Sequence, residues 1–157
     1  MPRIIGVIGE SRFSDPANEA LAEAIGRLIA AAGDVLICGG LSGVMEAACR
    51  GAKSAGGITI GVLPGSDRGQ ANRYVDYAVA TGMGESRNVV VVLTADALVA
   101  IGGGFGTLSE IGHALRAGKP VIGLGTWQAT RGALTAPVTV ATSPEDAWQQ
   151  LRQAMGR

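Results

Sequence analysis

Short apolar runs alternate with amphipathic stretches along the whole chain, and glycine follows most of the apolar runs. This alternation constrains the fold more than any other feature. A short run rich in β-branched residues reads as a buried strand, and a 3.6-residue apolar period reads as a helix. The expected strands are Ile4 to Ile8, Val35 to Cys38, Ile58 to Leu63, Val75 to Val79, Leu98 to Ile101, Val121 to Leu124 and Val138 to Val140. The expected helices are Pro16 to Ala32, Gly43 to Ala55, Gly106 to Ala117 and Pro144 to Met155. Asp15 fits an N-cap, Pro16 a first turn and Gly33 a stop for the first helix, and Ser143 fits the cap of the last. Ala47, Ala48, Gly51 and Ala52 make the inward positions of the second helix small, which is expected to bring its axis close to a sheet.

Gly84 to Leu93 has two readings. "NVVVVL" alone suits a buried strand that would pair with residues 97–101 as a hairpin. A helix there preserves the alternation, and the alternation favours it. The fold class that follows is α/β: a single Rossmann-like domain over residues 1–157, with a mostly parallel sheet covered by helices on both faces. Right-handed crossovers place every strand-to-helix turn on one edge of such a sheet, and ligands bind there. The glycine clusters fall on that edge.

Composition narrows the partners. The formal net charge is zero, which argues against a nucleic-acid polymer but leaves room for a small anionic ligand. No apolar segment reaches the length of a membrane span, and the N-terminus lacks signal-peptide organisation, so no membrane association and a cytoplasmic location are expected. Cys38 and Cys49 are expected to be buried free thiols. With one histidine, His113, on a separate element, no metal constellation is expected, and a Ser-His-Asp triad is disfavoured.

The glycines carry the chemistry. Residues 102–107, "GGGFGT", and 39–43, "GGLSG", each place a glycine turn at the start of a helix. Such a turn gathers backbone N–H groups at the positive end of the helix and suits phosphate. Gly39, Gly40, Gly43, Gly103, Gly104, Gly106 and Thr107 are the candidate phosphate-binding residues, with Arg73 as an added cation. Tight turns in a compact domain are the plainer alternative. Neither the P-loop pattern nor the dinucleotide G-x-G-x-x-G pattern is present. Thr107 and Glu110 form a capping-box pattern, which would explain both without a ligand. Arg87 is either a solvated helix residue or faces the glycine edge, and Arg68, Asn72 and Arg73 are equally open.

"GGGFGTLSE" resembles the glycine motif of the Lonely Guy family, phosphoribohydrolases long mislabelled as lysine decarboxylases. "GGLSGVMEAACRGAKSAGG", "GVLPG", "TGMGESRN" and "ADALVAIGGGFGTLSEIGHAL" resemble more closely the molybdenum cofactor carrier branch of the same superfamily, often called SLOG. The resemblance covers nearly the whole chain. It departs from the hydrolases at Gly102, where they have proline, at Asn88, where they have lysine, and at Glu46, which they lack. The Arg and Glu it associates with hydrolysis stand here as Arg87 and Glu110. Pyridoxal chemistry needs a Schiff-base lysine, and Lys53 and Lys119 are both expected on the opposite edge, so the decarboxylase label is rejected.

The resemblance implies two functions. The first is a carrier or sensor that binds a nucleotide or molybdenum cofactor through its phosphate, with no cofactor required. The second is a nucleoside 5′-monophosphate phosphoribohydrolase, with Glu110 stabilising the oxocarbenium charge or polarising water and Arg87 orienting the substrate. A structural relative with no small ligand is a third, plainer reading. The resemblance also implies a homodimer or homotetramer, and the valines from Val89 exceed what one buried helix face needs.

Overall fold

The computed structural model describes residues 1–156, so Arg157, the last residue of the expected domain, lies outside the described residues. The first half of the chain runs β1 (Ile4–Gly9), α1 (Ala17–Ala31), β2 (Val35–Cys38), α2 (Val44–Ser54), β3 (Ile58–Leu63) and β4 (Tyr77–Ala80). The second half runs α3 (Arg87–Thr94), β5 (Ala97–Ile101), α4 (Phe105–Arg116), β6 (Val121–Leu124), β7 (Thr130–Arg131), β8 (Leu134–Thr135), β9 (Thr139–Val140) and α5 (Pro144–Ala154). Seven strands form one sheet in the order β4-β3-β2-β1-β5-β6-β9, and every neighbouring pair is parallel. This is the expected Rossmann-like α/β arrangement. No helix among the described residues is long and apolar enough to cross a membrane.

The two-residue side-chain period of each strand feeds two cores. In β5, Ala97, Val99 and Ile101 pack with residues of α1, α2 and α5, while Leu98 and Ala100 pack with residues of α3 and α4. All five are buried, which a parallel sheet covered on both faces requires. Between α1 and α2 the contact is backbone to backbone. A Cβ on Gly26 would stand 2.0 Å from the Ala48 carbonyl oxygen, and one on Gly51 would stand 2.0 Å from that of Glu23. The small residues of α2 therefore serve its approach to a helix as well as to the sheet.

Residues 84–93 resolve as a short 3-10 turn (Gly84–Ser86) followed by α3. Asn88, Val91, Val92 and Ala95 are buried while Leu93 is exposed, which is helical spacing. The valines' strand preference yields to the need for a crossover between parallel β4 and β5.

Other boundaries shift for local reasons. The fourth strand begins at Tyr77, not Val75. The Asp76 carboxylate accepts from the Thr59 amide at 2.9 Å and from Lys53 Nζ at 2.9 Å, so side-chain bonds hold the approach to the strand. Val138 donates its amide to the Ala136 carbonyl and belongs to a turn, which leaves Thr139–Val140 as β9. The β7–β8 hairpin was not expected. Ser143 Oγ accepts from the Asp146 amide at 3.1 Å and caps α5 as expected, whereas α1 starts one residue late, at Ala17, with Pro16 in the cap position and Asp15 Oδ1 accepting from the Ala17 amide at 2.9 Å. Gly33 has φ +76°, fitting a helix stop.

Candidate functional site

β1 and β5 are neighbours, but the chain leaves β1 toward β2 and leaves β5 toward β6. The turns at their carboxyl ends therefore diverge and leave a crevice. A cavity of about 560 Å³ opens there. Its walls come from Gly9 at the end of β1, Glu10 and Arg12 after it, Gly39 after β2, Glu85 just before α3, Arg87 and Asn88 at its start, Gly103 and Gly104 just before α4, and Gly106, Thr107 and Glu110 in its first turns.

The turn after β5 shows why glycine is needed. Gly102 has φ +55° and Gly103 φ +110°. A Cβ on Gly102 would stand 2.6 Å from Asn18 Nδ2, and one on Gly103 would stand 2.5 Å from Thr107 Cβ. Gly104 then caps α4, and no side chain caps that end. Within the helix the first amide to find a fourth-neighbour carbonyl is that of Leu108, bonded to Gly104 at 3.1 Å. The amides of Phe105, Gly106 and Thr107 thus lack helical acceptors, as the first turn of a helix dictates.

The capping box does not form. The helix begins two residues before Thr107, because the positive-φ glycines turn the chain early and give Gly104 the cap position. Thr107 is buried in the first turn, where its hydroxyl cannot cap the helix. Glu110 does not reach back, and its carboxyl accepts no hydrogen bond from the described residues. It is only 8% exposed and lines the cavity. Burial pushes its carboxyl from the ordinary 4.5 up to about 8. The nearby Arg87 works against this shift and Glu85 reinforces it.

Arg87 is buried and faces the glycine edge. Its Nε donates to the Val62 carbonyl at 2.9 Å, and its Nη1 donates to Asn88 Oδ1. Its Nη2 lies beneath Gly39, where an added Cβ would come within 2.9 Å of it. Asn88, one of the departures from the hydrolases, thus holds the guanidinium in place.

Glu10 was missed in the sequence. Its carboxylate accepts from the Ser14 amide at 2.8 Å, Ser14 Oγ at 2.8 Å, Asn18 Nδ2 at 3.0 Å and the Gly103 amide at 3.3 Å. Burial opposes its charge, but these bonds hold its carboxyl below the ordinary value. Its own carbonyl oxygen accepts from the Val44 amide at 3.0 Å. The available signal was a glutamate directly after the first strand, followed by Ser14 and Asn18 at short spacing.

The turn 39–43 is built differently. Of Gly39, Gly40 and Gly43, the cavity meets only Gly39. Gly43 has φ +68°, and a Cβ on it would stand 2.3 Å from the Glu10 carbonyl oxygen. Gly40 has φ +76° and packs against Leu63 and Gly61. Arg73 also stands apart: it is exposed, donates to the Tyr74 hydroxyl at 2.7 Å and does not line the cavity. Arg68 is exposed, and Asn72 is occupied with the Leu41 carbonyl at 2.8 Å. Lys53 Nζ bonds Gly57 and Asp76, and Lys119 Nζ bonds the carbonyls of Leu93 and Ala95, so both lysines sit near the amino ends of strands. Cys38 and Cys49 are buried free thiols with their sulfurs 3.5 Å apart, and His113 is exposed on α4.

Known proteins share this fold. The chain superimposes on the molybdenum cofactor binding protein from the phototrophic bacterium Rippkaea orientalis with a TM-score of 0.89, at 37% identity over 99% of this chain and 98% of the other. It matches the molybdenum cofactor carrier protein from Chlamydomonas reinhardtii with a TM-score of 0.85, at 35% identity over the full length of both. An uncharacterised protein of Archaeoglobus fulgidus is 48% identical over 120 residues, 76% of this chain and 78% of that protein. Residues 2–148 match the model of the SLOG cluster4 family, and the chain belongs to that family.

Proposed function

We propose that this protein binds a phosphorylated small molecule as a carrier or sensor, with the phosphate seated on the first turn of α4. The single observation that carries this reading is the set of amides at Phe105, Gly106 and Thr107, uncapped and beside a cavity that also holds Arg87 and Glu110. Amides and helix dipole attract an anion, and the buried guanidinium adds charge-assisted donors. A Glu110 that keeps its proton near neutral pH does not cancel that attraction. The cavity volume suits a ligand of nucleotide or pterin size. Similarity to proteins described as molybdenum cofactor carriers makes that cofactor the leading candidate. The residues present fit its phosphate terminus.

The test is thermal stabilisation and calorimetric binding with molybdopterin, AMP and inorganic phosphate. Phosphorylated compounds are expected to raise Tm in the wild type and to lose most of that effect in Arg87→Met. No stabilisation by any of them rejects the reading.

A second reading, phosphoribohydrolase, is favoured by one observation. A carboxyl titrating near neutral pH beside an arginine suits a general acid that protonates a departing base. Its chemistry differs from the ionised carboxylate expected at Glu110. Release of free base and ribose 5-phosphate from nucleoside monophosphates, abolished in Glu110→Gln, would establish it. Absence of free base across purine monophosphates, including an N6-substituted AMP, removes it.

We also propose a homodimer or homotetramer in the cytoplasm, with the exposed Leu93 of α3 at a subunit contact. Sedimentation is expected to show an assembly that Leu93→Glu dissociates, and a wild-type monomer rejects this.

A further inference from the structure

An aromatic pair stands beside the glycine turn after β5, and nothing in the phosphate reading uses it. The Phe105 ring stacks on Trp127, with centroids 5.8 Å apart and planes 26° from parallel. Trp127 Nε1 donates to the Gly104 carbonyl at 3.0 Å, and Thr126 Oγ1 donates to that of Gly102 at 2.6 Å. The pair is therefore fastened to the turn at two points. Phe105 is nevertheless 82% exposed, more than any other large apolar side chain except the N-terminal Met1. It is also flanked in sequence by Gly104 and Gly106, which line the cavity and carry no side chains, while the two rings stand outside the cavity wall.

A ring held in place by a stacked partner loses little freedom on binding a second ring, and an exposed aromatic face next to an anion site offers stacking to any planar heterocycle. From this continuity we propose that Phe105, backed by Trp127, is the stacking platform for the fused heteroaromatic ring, pterin or purine, of the ligand whose phosphate occupies the α4 turn. The inference rests on the proposed phosphate site and adds the class of compound that it selects. Trp127 acts as a positioning residue, because it sets the ring of Phe105 and bonds Gly104.

The experiment compares AMP, neopterin monophosphate and ribose 5-phosphate on the full chain, by calorimetry and by Trp127 fluorescence in Trp148→Phe protein. The fused-ring ligands are expected to bind about tenfold or more tighter than ribose 5-phosphate and to quench Trp127. Phe105→Ala is expected to erase that advantage while leaving ribose 5-phosphate affinity unchanged, and Phe105→Tyr is expected to retain it. Whether AMP or neopterin monophosphate gains more tells purine from pterin. Unchanged ring-ligand affinity in Phe105→Ala overturns the platform and leaves the phosphate site standing, as does an equal loss for ribose 5-phosphate. A change in oligomeric state in Phe105→Ala without a ring-specific loss assigns the ring to a subunit contact and also overturns it. Failure of all three compounds to bind the wild type overturns both.

Discussion

The two glycine turns of this protein look alike as sequence and are opposites in the fold. "GGLSG" at 39–43 and "GGGFGT" at 102–107 each follow a strand and open a helix. The first is closed. Its helix receives the Glu10 carbonyl on the Val44 amide, and Gly43 fits against that same carbonyl with no room for a Cβ. The second is open. Gly102 and Gly103 are tightly packed, yet an added Cβ on Gly104 would meet nothing within 4 Å, and the first amides of α4 stay uncapped. A glycine-rich turn therefore does one of two jobs, close packing of chain on chain or exposure of amides. Neighbouring residues, not the glycines, decide which.

The largest expected effect tests the closed turn. Gly43→Ala combines a positive φ with an added carbon 2.3 Å from a carbonyl oxygen. Together the backbone strain and overpacking are expected to cost about 3 kcal/mol in urea denaturation. A loss below about 1 kcal/mol would show that the turn yields and blur the contrast.

Glu110 sharpens the open side. Its folded carboxyl holds a proton up to about pH 8, whereas the unfolded chain releases it near 4.5. The native state thus binds more protons between those values, so stability is full below the lower value and falls as pH rises toward the upper one. Wild type is expected to lose about 3–4 kcal/mol relative to Glu110→Gln between pH 5 and pH 8. A constant difference between the two proteins across that range would mean the carboxyl is ionised in the fold.

Glu10 joins the two turns, through its carboxylate on Gly103 and its carbonyl on Val44. Here the sign reverses. Its carboxyl is held below the ordinary value, so its contribution is present at neutral pH and fades as pH falls below about 4.5. Glu10→Gln is expected to cost about 1 kcal/mol at neutral pH, with the deficit shrinking in acid. An undiminished deficit in acid would assign the loss to shape alone.

The smallest stability effect belongs to Gly104→Ala. With φ −95° and open space, it is expected to change stability by less than about 0.5 kcal/mol. The same methyl would stand where an anion approaches the α4 amides, so phosphate affinity is expected to fall about tenfold, or about 1.4 kcal/mol. Stability lost without affinity lost would make the two turns alike after all.

The strand and helix order was legible because parallel βαβ architecture imposes it on hydrophobic periodicity, and the α3 valines show the limit of local preference. Alone they favour a strand; the crossover from β4 to β5 makes them a helix. At the site, the pattern left Arg87 and Glu110 with plain structural alternatives and only the family resemblance paired them, while Glu10 showed no more than nearby Ser14 and Asn18, because its contact to Gly103 joins segments far apart in the chain.

By itself the sequence determined the sheet, the edge on which the glycine turns gather, and the need for glycine after β2 and β5, because periodicity and positive-φ requirements are local. Only the tertiary structure decided that the Thr107–Glu110 capping box stays unformed. It also decided that Arg73 stands away from the cavity, and that Glu110 is buried beside Arg87 with its proton held. Those outcomes depend on where a helix starts against its neighbours and on how much water reaches a carboxyl, and both are set by residues distant in the chain.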